Sequence, residues 1–131
     1  MPLTHVNPET LHVNPAFSQG VLIEPPGSLL IVGGQDGTDA SGAIVAGGLQ
    51  EQTVQALKNV LAVLAAAGCT QEHVAKMTIH VVAPADIMAG FAASQEVWGQ
   101  HPTAITVLQV TALGRPEALV EIDAIAQVPA G

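Results

Sequence analysis

Between Val54 and Leu64 apolar side chains return at spacings of three and four, as Val54, Leu57, Leu61 and Leu64, while Glu51, Gln55, Lys58 and Asn59 fall mostly elsewhere. That period predicts an amphipathic helix from Leu49 that stops at Gly68. From Val74 to Val82 the period shortens to two, with Ala75, Met77, Ile79 and Val81 on one face and Lys76, Thr78 and His80 on the other. Such alternation predicts a half-buried strand. Pro84 breaks it, Asp86 is placed to cap a second helix running to about Trp98, and Gly99 and Pro102 end that helix. Two further strands are predicted, Ala104–Thr111 and Leu119–Val128, joined by the turn Gly114-Arg115-Pro116.

Upstream the pattern is less regular. Residues 1–15 carry Asn7-Pro8 and Asn14-Pro15 and read as an irregular lead-in. Phe17–Ile23 is a predicted first strand, and Glu24-Pro25-Pro26-Gly27 has strong turn chemistry. Leu29–Val32 is apolar throughout, which predicts a short strand buried on both faces. Gly33-Gly34 ends it, and a loop from Asp36 lasts to about Gly47. No repeat, linker or low-complexity tract divides the chain, so residues 1–131 read as one domain. The order β-β-α-β-α-β-β predicts an α+β fold, one mixed sheet with both helices on one face. The other face then needs cover, which points to an oligomer.

Composition strengthens that expectation. Apolar residues make up 49% of the chain and charged ones 11%, which excludes a disordered polymer and leaves little charge to cover a monomer's surface. The longest apolar candidate, Val54–Ala67, is interrupted by Gln55, Lys58 and Asn59, too soon for a membrane span. The start, Met-Pro-Leu-Thr-His, lacks the layout of a secretory signal, and a lone Cys69 gives no disulfide framework. A cytoplasmic protein is expected. Lys58, Lys76 and Arg115 face eleven acids for a net charge of −8, too few cations to neutralise a run of phosphates, so no nucleic-acid partner is expected.

Candidate chemistry narrows next. His5, His12, His73, His80 and His101 form no helical His-x-x-x-His pair and lie near no Cys or acid at zinc spacing, so no metal is expected. Cys69 has no neighbouring cation to activate it. Gly33-Gly34-Gln35-Asp36-Gly37 follows a strand but lacks the Lys-Ser/Thr of a phosphate loop, and Pro2 as an N-terminal base has no supporting residues. Glu121 and Asp123 are different: alternating with Val120, Ile122 and Ala124, they share one face of the last strand. Cover by a neighbouring subunit would desolvate that face and suit a carboxylate to holding or activating water.

Several segments taken together resemble the Rid (reactive intermediate deaminase, YjgF/L-PSP) family. Asn14-Pro15-Ala16-Phe17-Ser18-Gln19-Gly20-Val21 resembles its opening "PYSQ" motif, and Val32-Gly33-Gly34-Gln35 its "S-G-Q" strand end. Glu51-Gln52-Thr53 through Leu64-Ala65-Ala66-Ala67-Gly68 is similar to its first helix, Val74-Ala75-Lys76-Met77-Thr78 to its next strand, and Val120-Glu121-Ile122-Asp123-Ala124-Ile125-Ala126 to its closing "vEIEaIA". The match runs over residues 14–128 in order. It implies a chorismate-mutase-like fold and a homotrimer with small-molecule clefts between subunits, where enamines and imines such as 2-aminoacrylate are hydrolysed to a keto acid and ammonia without metal or organic cofactor.

Carried over position by position, the resemblance implies Glu121 as the residue that positions water, with Gly33, Gly34 and Thr106 beside the substrate. The family tyrosine falls at Phe17, its serine at Gly33, its carboxylate-gripping arginine at Ile105 and a frequent cysteine or threonine at Val107. An asparagine from the second helix falls somewhere in Phe91–Gln95. Isoleucine cannot make a bidentate pair with a carboxylate, a loss worth roughly 2–5 kcal/mol in a desolvated pocket. Unless Arg115 swings in from its turn, the cleft is more apolar than the family pattern, and 2-aminoacrylate activity should be weak or absent. Two readings follow: a cofactor-free hydrolase with an altered, more apolar preference, or a non-catalytic small-molecule-binding or interaction trimer. Ribonuclease activity, once associated with the family, fits poorly with the acidic charge.

Overall fold

The structure, a computed structural model, describes residues 3–12, 15–25 and 27–130. Pro2, Asn14 and Pro26, which the sequence analysis placed in the N-terminal base, the opening motif and a turn, lie outside them. Strand β1 (Leu3–Val6) pairs antiparallel with β2 (Gly20–Ile23), β3 covers Ser28–Asp36, and α1 spans Gly48–Ala66. Then come β4 (Val74–Val82), α2 (Ile87–Trp98), β5 (Ala104–Val110) and β6 (Val120–Val128). A four-stranded mixed sheet has the order β3-β6-β4-β5, with β4 and β5 parallel and the other pairs antiparallel. The expected α+β class, with both helices on one face, is what is found.

Strand alternation builds the core. Val120, Ile122, Ala124 and Ala126 of β6 point to the helix side and are wholly or almost wholly buried. They meet Val32 from β3, Met77 from β4 and Leu57, Val60 and Leu64 from α1. Two polar residues of α1, Gln52 and Thr53, are also buried. The Gln52 side chain accepts a bond from the Leu119 N–H (2.8 Å) and donates to the Glu117 carbonyl (3.3 Å), pinning the helix to the entry of β6. Satisfied in this way, the amide costs little to bury. The helix is therefore turned slightly from its apolar phase, leaving Val54 and Leu61 half-buried.

Three expectations need correction. Residues 1–15 are not wholly irregular: Leu3–Val6 is a strand, held by ladder bonds to β2 rather than by hydrophobic periodicity. The segment Phe17–Ile23 joins that hairpin, and it pairs with the main sheet through an isolated parallel bridge from Ser18 to Ala104. Finally, Leu29–Val32 is part of a nine-residue strand and is not covered on both faces in this chain: Leu29 is 57% and Ile31 66% exposed, whereas Val32 is 1%. The helices cover one face alone, so alternate residues of an all-apolar run stay open.

Cys69 sits at the end of α1 beneath the sheet, and burial pushes its thiol above the ordinary range, in keeping with a structural role. Among the described residues no helix is long and apolar enough to cross a membrane. Replacing Ile122 by alanine removes a fully buried side chain and is expected to lower the unfolding free energy by about 2–5 kcal/mol in a denaturant titration. A loss below about 0.5 kcal/mol, typical of surface sites, would contradict its place in the core.

Candidate functional site

The register of the strands decides which of the predicted site residues can meet. Met77 pairs with Ile105 and Ile79 with Val107, all four on the helix side. Beneath α2 these side chains wall a cavity of about 1010 Å³. Phe17 closes one end, Phe91 and Gln95 contribute from the helix, and Trp98 and His101 follow where the helix ends. Phe17 is held there because the segment is anchored next door: the Ser18 N–H donates to the Thr103 carbonyl (2.7 Å), and its buried hydroxyl meets His5 Nδ1 at 2.6 Å. Thr103 is itself buried and donates to the Val74 carbonyl (2.7 Å).

The cavity exists because α2 rests on α1. Ala93 is buried, and a Cβ added to Gly90 would lie 3.6 Å from Leu49. These small residues draw the helices together and leave space between α2 and the β4–β5 half of the sheet. Asp86 caps the helix as expected, accepting from the Ala89 N–H at 3.1 Å.

Glu121 lies on the other side. It alternates with Val120 and Ile122, pairs across the strands with His80 and Asp36, and so faces away from both helices. The β3 ladder shifts register between Val32 and Gln35, and the two glycines occupy that bulge. A Cβ on Gly34 would collide with Glu121 Oε1 and lie 2.7 Å from its Cδ, so glycine clears the seat on which this carboxylate rests. Among the described residues its carboxylate has no hydrogen bond. His80 donates from Nδ1 to the Glu121 carbonyl (3.2 Å), since a carbonyl oxygen can only accept. Thr106 is on this face too, where it accepts a bond from Lys76 Nζ.

The predicted residues therefore divide. Phe17, Ile105 and Val107 line the cavity, whereas Gly33, Gly34, Thr106 and Glu121 belong to the opposite, open side. The resemblance implies Ile105 and Glu121 in one cleft between subunits, and within the single chain they leave the sheet on opposite faces. Trp98 and His80 were not singled out as site residues. Strand parity would have placed His80 beside the Glu121 face, but Trp98 carried no signal beyond ending a helix. Among the described residues no group of three or more His, Cys, Asp or Glu is arranged to hold a metal.

Arg115 is engaged away from the cavity in this chain. Its Nη1 donates to Thr38 Oγ1 and to the Gly42 carbonyl, both at 3.0 Å, and its Nε lies 3.4 Å from Glu117 Oε1. It clamps the loop after β3 and is absent from the cavity wall. Within that loop Asp39 accepts from the Ser41 hydroxyl and from the Ser41 and Ala43 N–H groups, which hold its carboxyl below the usual range.

With this geometry in view, likeness to known proteins carries weight. The family model described as Endoribonuclease L-PSP matches residues 8–128. The chain belongs to this family, the Rid family. It is 39% identical over 115 residues to the 2-iminobutanoate/2-iminopropanoate deaminase of Capra hircus, covering 84% of this chain and 78% of that one. A Rid-family protein of unknown function from Yersinia pestis, YyfB, superposes with a TM-score of 0.85 at 32% identity, over 97% of this chain and 99% of that one. Escherichia coli TdcF, solved with bound serine, gives a TM-score of 0.71 at 28% identity over 91% of each chain.

Replacing Arg115 by alanine should speed amide hydrogen exchange across residues 38–43 and leave residues 87–98 unchanged. Faster exchange in the α2 segment would show that this arginine does reach the cavity.

Proposed function

We propose that the chain is a cofactor-free hydrolase of carbon–nitrogen double bonds, acting in clefts between the copies of a homotrimer and preferring uncharged, apolar substrates to carboxylate-bearing ones. Membership of the Rid family and likeness to a deaminase named for two imino acids support the reaction class. The change of preference rests on one observation: the cavity wall holds Ile105 where the resemblance implies an arginine, and neither Arg115 nor any lysine lines it. The need for more than one copy follows from the sheet, since Glu121 and Ile105 leave it on opposite faces. Leu29, Ile31 and Leu108, large apolar side chains on the open face, supply surface for that association.

In this reading water adds to the carbon of the C=N bond while Glu121 takes its proton. Glu121 returns that proton to the nitrogen, giving a neutral carbinolamine. As its C–N bond breaks, the hydroxyl proton passes by way of Glu121 to the nitrogen, which leaves as ammonia, and a carbonyl compound remains. No electrons are exchanged, so no redox partner is required. Gly34 keeps the carboxylate in its seat, and the apolar wall of Ile105 and Val107 selects the body of the substrate. The losses at Phe17, which carries no hydroxyl, and Gly33, which carries no side chain, favour the second reading, a binding trimer without turnover.

In a screen of aliphatic and aromatic imines, the Glu121→Gln variant is expected to lose about 10²–10⁴-fold of any turnover. Gly34→Ala should fold normally, reduce turnover alone, and add little to Glu121→Gln because both act on one carboxylate. Full activity in Glu121→Gln would overturn the role given to Glu121, whereas no turnover of any imine by the unaltered protein would favour the binding trimer. Replacing Ile105 by arginine should raise turnover of 2-aminoacrylate at least about tenfold, the scale of a restored carboxylate clamp. No gain in a folded variant would refute the role given to this position.

A further inference from the structure

The cavity beneath α2 has an internal order that the proposed reaction does not require. The helix runs along it for roughly 16 Å. At its first turns the wall is apolar, with Ile87, Met88 and Phe91. Towards its last turn and the segment after it stand Gln95, Trp98, Gln100 and His101. Polar groups are thus gathered at one end and hydrocarbon at the other. The volume, about 1010 Å³, lies at the upper end of the range for small-molecule sites.

Two further observations restrict the occupant. Among the lining residues His101 is the sole titratable side chain, so an anion entering the cavity would leave water without gaining a fixed counter-charge. Trp98 is 6% exposed, and its indole Nε1 has no hydrogen-bond partner among the described residues. A buried donor left in that state is costly, and a turn of the indole that brought it to an acceptor in the cavity would relieve that cost.

We infer that this cavity binds an uncharged amphipathic small molecule, its aromatic or aliphatic body against Ile87, Met88 and Phe91 and its amide, ester or alcohol head towards Gln95, Trp98 and His101. The inference rests on reading the cavity as the substrate side of the proposed cleft, and names the chemical class that side accepts. Trp98 is the chain's single tryptophan, so its emission reports occupancy directly.

The test titrates the assembled protein at mildly alkaline pH with 4-phenylbutanamide and, separately, with 4-phenylbutanoate, which has nearly the same shape and carries a charge. The amide should give a saturable change in Trp98 emission, with the carboxylate at least about tenfold weaker. By calorimetry, Trp98→Phe should weaken the amide about tenfold and leave butylbenzene, which has no head group, unchanged. Should that variant not fold, Val107→Phe, which narrows the cavity from its exposed rim, should weaken both neutral ligands. A carboxylate that binds as tightly as the amide overturns the inference. So does an amide that gives no saturable signal, as would follow if a second copy of the chain filled the space. Equal weakening of amide and butylbenzene by Trp98→Phe overturns the role given to the head group. Amide binding and imine turnover are read separately on the same preparation. Absent binding with imine turnover intact therefore defeats this inference alone, whereas binding with turnover indifferent to Glu121 defeats the proposed reaction alone.

Discussion

Successive side chains of a strand leave opposite faces of a sheet, and in this chain that alternation governs every relation between core, cavity and carboxylate. Ile122 and Ala124 must face the helices to build the core, so Glu121 and Asp123 must face away. Met77 and Ile79 carry the same face across to Ile105 and Val107. A one-residue slip in either pairing would exchange the two sides and bury carboxylates beneath α1. The cost of that error fixes the register, and the register fixes where chemistry can occur.

The two sides are finished by different means. On the helix side, small residues let α2 lean on α1 and stand off β5, leaving an apolar space in place of a packed layer. On the open side, a bulge at Gly33 and Gly34 makes room for Glu121, and His80, tied to the Glu121 carbonyl, stands beside it. Each half is incomplete as a hydrolytic site. The cavity offers shape and hydrocarbon without a charged group, while the open face offers a carboxylate without walls.

Much of the fold was legible in the sequence because periodicity reports burial. The span Val74–Val82 and the second helix, with its Asp86 cap, follow from spacing alone. The segments that escaped are those whose order comes from elsewhere. Leu3–Val6 is a strand because β2 supplies its partners, and Leu29–Val32 looked doubly buried because hydrophobicity cannot say whether a second layer belongs to the same chain. For the site, residue resemblance pointed to Glu121, Ile105 and Val107, but it carries no information about which face each occupies. That the Trp98 donor has no partner among the described residues, or that Arg115 bonds to the Thr38–Gly42 loop, depends on distances that no motif encodes.

A cleft containing both Glu121 and the Ile105 wall must be assembled from two copies of the chain. The most direct measurement is a crystal structure of the assembled protein, read at the distance from the Glu121 carboxylate of one copy to Ile105 of the next. The account predicts a trimer in which a single small molecule can span that gap. A monomer, or an assembly in which every Glu121 is turned to solvent or sealed away from every Ile105, would contradict it.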